Sequence, residues 1–365
     1  MSIPSTLSRL ALPAALLVGC APSSTSTGTS AAPAGSPPSS IWLEPEPGER
    51  HLRNIRQLTQ GGNNAEAYFS FKGDRIIYQR QDKVDAGCDQ QWTMHADGSN
   101  QRRVSNGLGR TTCGAFLKGD RKILYSSTFE HETACPERPD MSLGYVWPLN
   151  NLEIYVADAD GSNLKRLTNN QAYDAEATIS PDGRTILFTS TRDGDIELYT
   201  MNLEGGDVRR ISRRVGYDGG AWFSPDGKQI VWRAAYPKTA ADTADYLRLL
   251  DRKLVRPART EVFVANADGS GQRQVTNLGG ANFAPIFSPD MKKIIFSSNY
   301  EKPRSGNFDL FLINPDGTGL EKVTTHGDFD SFPMFSPDGR KLLWAANRNQ
   351  KEPGETNIFI ADWVP

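Results

Sequence analysis

The chain has 365 residues, including 33 Gly and 23 Pro, with 41 basic and 43 acidic side chains and a formal net charge of −2. That length suits one large β domain or two ordinary ones, and no apolar run is long enough to span a bilayer as a helix. A near-neutral, slightly acidic chain has no electrostatic footprint for nucleic acid, so no nucleic-acid partner is expected.

The first segment reads as targeting rather than fold. Arg9 precedes "LALPAALLVG", an apolar run of about ten residues, the length of a signal core. It ends in "LVGC", where Leu17, Gly19 and Cys20 match a bacterial lipobox in residue type and position. This resemblance implies cleavage after residue 19 and lipid on Cys20. Ala21 after the Cys implies sorting to the outer membrane, facing the periplasm, if the source is Gram-negative. Residues 21–40, "APSSTSTGTSAAPAGSPPSS", carry no charge and no aromatic ring. Such a segment buries too little apolar surface to offset its ordering entropy, so residues 20–49 are expected to be a tether. The membrane is then reached through the anchor alone.

From residue 50 onward the chain repeats. "ISPDGRTILFTS" at 179–190 recurs as "FSPDGKQIVWRA" at 223–234, "FSPDMKKIIFSS" at 287–298 and "FSPDGRKLLWAA" at 335–346. Weaker copies are "FSFKGDRIIYQR" at 69–80 and "FLKGDRKILYSS" at 116–127. Anchored at 70, 117, 180, 224, 288 and 336, the copies are 47, 63, 44, 64 and 48 residues apart. Within each, Pro and Gly set a tight turn and the flanks are rich in Ile, Phe, Tyr, Trp and Val, which suit a pleated surface. A second hairpin follows, as in "VFVANADGSGQRQVT". Four short strands per unit, A to D, at this period predict a six-bladed β-propeller over residues 50–365, an all-β fold. The sixth unit reaches Pro365 without a strand D, whereas "IRQLT" at 55–59 is a strand D without a unit. Residues near Ile55–Thr59 should therefore pair with residues near Asn357–Ala361 and close the ring, which removes its free edges.

These "SPDG" units and "ADGSxxxxLT" hairpins resemble the TolB-type β-propeller family, related to the propellers of prolyl oligopeptidases and dipeptidyl peptidases, over roughly residues 50–365. TolB-type proteins carry an α/β domain ahead of the propeller where a tether is expected here. The peptidases use a hydrolase domain, and no "GxSxG" occurs in this chain. The resemblance specifies fold strongly and function weakly.

In a propeller, strand A lines the central channel, and the D–A and B–C loops share one face. Six residues before each anchor stand Asn64, Thr111, Asp174, Asp218, Asn282 and Asp330; four before stand Glu66, Cys113, Glu176, Gly220, Ala284 and Phe332. Together with Arg192 and Arg348 at the ends of strand B, these place Glu66, Asp174, Glu176, Asp218, Asn282, Asp330, Arg192 and Arg348 as candidate ligand-binding residues at one mouth of the channel. A polar, mostly acidic funnel suits a cationic or amide-rich ligand such as a peptide. Asp and Asn at loop positions serve equally well as caps of their own turns, a reading that fits Glu66 and Glu176 less well. Two long B–C insertions, 129–151 and 236–260, lie on the same face. The second has an amphipathic helical pattern at Tyr246, Leu247, Leu249, Leu250 and Leu254, with Thr or Asp placed to cap it. Both are expected to wall a cleft over the channel.

Cys88, Cys113 and Cys135 are disulfide candidates in an oxidising compartment. Cys113 is expected to be one member, and its partner stays open. A nucleophilic Cys113 would need a base such as Glu66 or His131. Four scattered His, and the acids of "DADGS" and "TRDGDIE", form no complete metal-ligand pattern, and phosphate loops are absent. No catalytic residue, metal or cofactor is therefore assigned. The leading expectation is a monomeric envelope lipoprotein whose propeller binds a protein, peptide or envelope polymer. The alternatives are a hydrolase or lyase using rim carboxylates, or a small-ligand sensor or carrier.

Overall fold

The computed structural model describes residues 41–84 and 87–365. The expected signal peptide, Cys20 and most of the tether lie outside them. Six antiparallel sheets form the six blades of a propeller, built from residues 63–103, 111–166, 174–210, 217–274, 282–322, and 330–363 with 41–57. The first strand of each blade touches the first strands of both neighbours, and Asp330–Phe335 touches Asn63–Phe69, so the ring is closed.

Closure follows the expected pairing. Leu52–Gln57 lies antiparallel to Asn357–Trp363, with Arg56 opposite Ile360 and Gln57 opposite Phe359. One hydroxyl marks "LT" as a repeat element. Thr59 accepts the backbone N–H of Ile358 at 2.9 Å. Ser105, Thr168, Ser212, Thr276 and Thr324 do the same for strand C of the other five blades, at 2.8–3.1 Å. The expected boundary at residue 50 is corrected. Ile41–Leu43 adds a fifth strand outside Leu52–Gln57, and Glu49 is buried. The composition of 21–40 carries no hint of a strand beginning at Ile41.

Each blade is too thin to hold a core, so the apolar side chains pack between blades. Successive residues of a strand point to opposite faces. Ile76 and Tyr78 accordingly join a cluster with Leu343, Ala345 and Ile358 of the sixth blade. Ile77 joins Phe116, Ile123 and Tyr155 of the second. Four more clusters fill the remaining seams.

The "SPDG" turns close as their chemistry dictates. Ser180, Ser224, Ser288 and Ser336 each donate to the Asp two positions on, at 2.6–2.7 Å. The fourth residue takes a positive φ, 77° at Gly183 and 61° at Met291, the one copy without glycine. A left-handed L-residue costs about 1–2 kcal/mol. After the larger unfolded-state entropy of glycine, Met291→Gly is expected to stabilise the protein by about 1 kcal/mol, read as a raised urea midpoint with an unchanged slope.

The insertions do not wall an open cleft. They pair with each other, Trp147–Pro148 against Leu254–Val255, and form one cap. Helix Ala240–Asp251 starts at Thr239, which forms a capping box with Asp242. Leu149, Val255, Tyr246 and Leu250 pack on Ile196 and Tyr217 of the third and fourth blades. Leu247, expected on the apolar face, is exposed.

Candidate binding site at the channel mouth

The two sets of strand A positions go to different places. Asn64, Thr111, Asp174, Asp218, Asn282 and Asp330 are all fully buried and bind their own blade or its neighbour, not the rim expected for them. Asp174 accepts from Ser190, and Asn282 from Ser298 at 2.6 Å. Asp218 accepts from Trp232 Nε1 at 2.6 Å, and Asp330 from Trp344 Nε1 at 3.0 Å. Burial pushes the Asp218 carboxyl up to about 7 against the hydrogen bonds from Tyr236 and Trp232.

The two arginines are likewise engaged within the fold. Arg192 Nη2 reaches Asp174 at 3.0 Å and lies against the Phe188 and Tyr199 rings. Arg348, 3% exposed, bridges Asp330 and Glu49. Side-chain bonds to strand B thus occupy Asp174, Asp218, Asn282 and Asp330, in place of the turn caps weighed for them, and ion pairs occupy both arginines.

The other set faces the channel. Every strand A has an irregularity in its pairing at this point, between Ala65 and Tyr68 in the first blade and at equivalent places in the rest. The bulged residues Glu66, Cys113, Glu176, Gly220, Ala284 and Phe332 all have φ between 47° and 62°. A bulge re-aims the side chain it carries. These six residues line one small cavity of about 30 Å³ with Tyr68, Trp222 and Arg233.

The cavity wall is divided by chemistry. Blades one to three contribute Glu66, Cys113 and Glu176; blades four to six contribute Gly220, Ala284 and Phe332. Phe332 continues into edge-to-face and tilted contacts with Phe283 and Phe329, at 5.4 and 6.5 Å between ring centres, and Phe283 with Phe308 at 5.0 Å. Phe329, Phe332 and Phe308 are partly exposed, an aromatic wall next to Glu66 and opposite Glu176.

Arg233 crosses from the fourth blade to pair with Glu176 of the third. Its Nε donates to Tyr217 Oη at 2.7 Å, and its guanidinium lies 5.4 Å from the Trp147 ring of the cap. Gly220 makes room for it, since a Cβ there would sit 2.1 Å from Arg233 Nη1. Glu176 is satisfied on both oxygens, the second accepting from Thr189 Oγ1 and the Gly220 N–H at 2.8 Å each. No basic side chain among the described residues pairs with Glu66 in this way. Burial pushes its carboxyl up to about 7, and Glu176 adds to the rise, against a hydrogen bond with Cys113 and the field of Arg233.

The expectation that Cys113 joins a disulfide is corrected. Cys88 is bonded to Cys135, tying the second blade's insertion to the first blade's loop, and Cys113 is a free thiol. Burial, then Glu66, pushes the thiol well above its ordinary range. A thiol held neutral is a poor nucleophile, and His131 is bonded to Glu153 at 3.1 Å. The acids of "DADGS" and "TRDGDIE" are used locally. Asp160 accepts from Ser162, Asp193 from Tyr199 and Asp195 from Tyr246 of the cap. Among the described residues, no three His, Cys, Asp or Glu side chains converge on a metal position.

Sequence reasoning missed Arg233, Tyr68, Trp147 and the aromatic wall beyond Phe332. Arg233 sits inside strand B, where nothing in its neighbours marks a side chain that crosses between blades. The alternating aromatics of "NFDL" and "FDSF" are a signal that could have placed Phe308 and Phe329.

With six blades and their "SPDG" turns in place, the match to known proteins is specific. The family described as the TolB beta propeller domain matches residues 146–243 and 255–363. The chain belongs to that family. A Tol-Pal system protein TolB from Bordetella pertussis is 46% identical over 43 residues, 12% of this chain and 10% of its own length. The solved structure of a putative TolB from Agrobacterium tumefaciens superposes with a TM-score of 0.55 at 17% identity, covering 83% of this TolB-type chain and 91% of its own. A gluconolactonase from Xanthomonas campestris superposes with a TM-score of 0.58 at 14% identity, over 91% of this chain and 99% of its own. At these identities the solved structures share the fold, and a shared fold carries no function with it. Among the described residues, no helix is long and apolar enough to cross a membrane.

Proposed function

We propose that this TolB-type propeller is a binding module of the cell envelope, held to the membrane by lipid on Cys20, which engages a protein or peptide at the face carrying the D–A and B–C loops. The observation that carries this reading is the divided mouth. An aromatic wall of Phe308, Phe329 and Phe332 stands beside Glu66 and across from Glu176. Exposed aromatics beside a few fixed charges are the usual make-up of a protein-binding hot spot. The family name of the relatives, a Tol-Pal system protein, fits an envelope setting.

The geometry favours binding over acid–base catalysis. The other carboxylate of the cavity, Glu176, already has both oxygens occupied.

The test places a photo-crosslinking residue at Phe329 and, separately, at Lys228 in a turn of the opposite face, in the full chain in its native envelope. A discrete adduct from position 329 is expected, with none from 228. Adding Ala284→Phe should plug the mouth and reduce that adduct at least fivefold. The backbone tolerates this change, because Phe332 takes the same φ at the equivalent site. Adducts from 228 alone, or an adduct from 329 indifferent to the plug, would refute the assignment of the face.

A further inference from the structure

The cavity is unbalanced in charge and small. Its three charged groups are Glu66, Glu176 and Arg233. Arg233 is spent on Glu176, so one carboxylate is left without a cation. The Tyr68 hydroxyl faces the same space. Tyr68 is 9% exposed, lines the cavity, and makes no hydrogen bond among the described residues. Its electrostatic neighbours are Glu66, Cys113, Arg233 and Glu176. Polar groups removed from water are normally partnered. An unpaired carboxylate and an idle hydroxyl on one void point to a missing donor of hydrogen bonds.

Size restricts what that donor can be. A cavity of about 30 Å³ exceeds the roughly 10–15 Å³ that one water needs and takes a small polar group. A primary ammonium is the smallest organic cation for such a site and carries three N–H donors. Trp222 and Phe332 also line the space, and aromatic faces attract a desolvated cation.

We propose that the cavity receives one primary ammonium group, the tip of a lysine side chain or a chain N-terminus of the partner, with Glu66 as its counter-ion and the Tyr68 hydroxyl as a second acceptor. This rests on the channel mouth being the binding face. Apolar carbons leading to the ammonium lie against Phe332 and Phe329. Four other titratable groups face Glu66: Glu176 from the third blade, Arg233 from the fourth, Asp89 from the first and Cys113 from the second. Glu176 and Arg233 offset one another, and Asp89 lies beside Arg110. The ionisation of Glu66 therefore sets the affinity, and binding weakens as the medium becomes acidic.

The test uses the full chain with glutamate side-chain carboxyls labelled with carbon-13. It is titrated at pH 8 with n-butylammonium, methylguanidinium and tetramethylammonium. A saturable shift of the Glu66 resonance is expected with n-butylammonium, with at least tenfold weaker binding of the other two. By calorimetry, Glu66→Gln should weaken n-butylammonium at least tenfold and Tyr68→Phe severalfold. Lowering the pH from 8 to 6 should weaken it by about tenfold, in line with a carboxyl titrating in that range. Equal binding of methylguanidinium, or full affinity in Glu66→Gln, would overturn the proposal. Two peptides then separate the sources, one acetylated with an internal lysine and one with a free N-terminus and no lysine. Binding by either supports the proposal and names the source; binding by neither overturns it. Crosslinking at Phe329 that persists while the ammonium probes fail removes this inference and leaves the binding face standing.

Discussion

Arg348→Ala is expected to cost about 4 kcal/mol of folding stability. The guanidinium donates to Glu49 Oε2 at 2.9 Å and to Asp330 Oδ1 at 3.0 Å. Both carboxylates are buried, Asp330 in strand A of the sixth blade and Glu49 in the turn before Leu52–Gln57. Removing the cation leaves two negative charges out of water and unpaired. That is worse than losing an attraction, because desolvation of each carboxylate is no longer offset. The loss also falls on the closing seam, since Glu49 accepts the Thr325 N–H of the fifth blade at 3.0 Å. Hydrogen exchange should therefore show opening of residues 52–57 before the other blades. Arg192→Ala is the control. It sits at the same place in the third blade but serves one carboxylate, Asp174, and is partly exposed. Its cost should be under half that of Arg348→Ala in urea unfolding at pH 7.5. Equal costs for the two variants, or a loss below about 1 kcal/mol for Arg348→Ala, would show that this triad does not hold the ring closed.

Glu66→Gln is expected to stabilise the protein, and only at high pH. The carboxyl is held up to about 7 in the fold, from its ordinary value of 4.5. The folded state then binds the proton more tightly than the unfolded chain. Stability from Glu66 is full below pH 4.5 and is lost as the pH rises through about 7. The whole shift corresponds to about 3 kcal/mol, and residual contact with solvent brings the expected difference to about 2 kcal/mol. Glutamine does not titrate, so the variant escapes this loss. Stability curves of the two proteins should meet near pH 4.5 and diverge to that difference by pH 8.5. Parallel curves would mean that Glu66 is not held protonated at the channel. A residue whose removal stabilises the fold is kept for something other than the fold, which suits a group waiting for a cation.

The architecture was legible because each unit writes its turns in residues with few other uses. Pro and Gly in "SPDG", Asp and Gly in "ADGS", and β-rich flanks recur along the chain, and an orphan "IRQLT" at one end matches a missing strand at the other. Turn stereochemistry and the need to cover sheet edges are local and additive, so a linear reading reaches blade number, strand order and the closing pair. The fifth strand at Ile41–Leu43 escaped because three residues carry no period.

The site was legible in position but not in role. Counting back from the anchors found Asp174 and Glu176 alike as acids near the channel entrance. Tertiary structure separated them, because a bulge at Glu176 turns that side chain into the channel while alternation turns Asp174 into the blade, onto Ser190. Bulges at Glu66, Cys113 and Glu176 carry no glycine to announce them. Arg233 reaches Glu176 across 57 positions, and the two insertions meet as one cap only after the ring has formed. Cys113 lay between two other thiols in sequence, yet the chain brings Cys88 to Cys135 over it. Repeated local chemistry specifies a blade and the number of blades. What stands free, paired or buried at their common axis depends on contacts between blades, and no repeat unit contains those contacts.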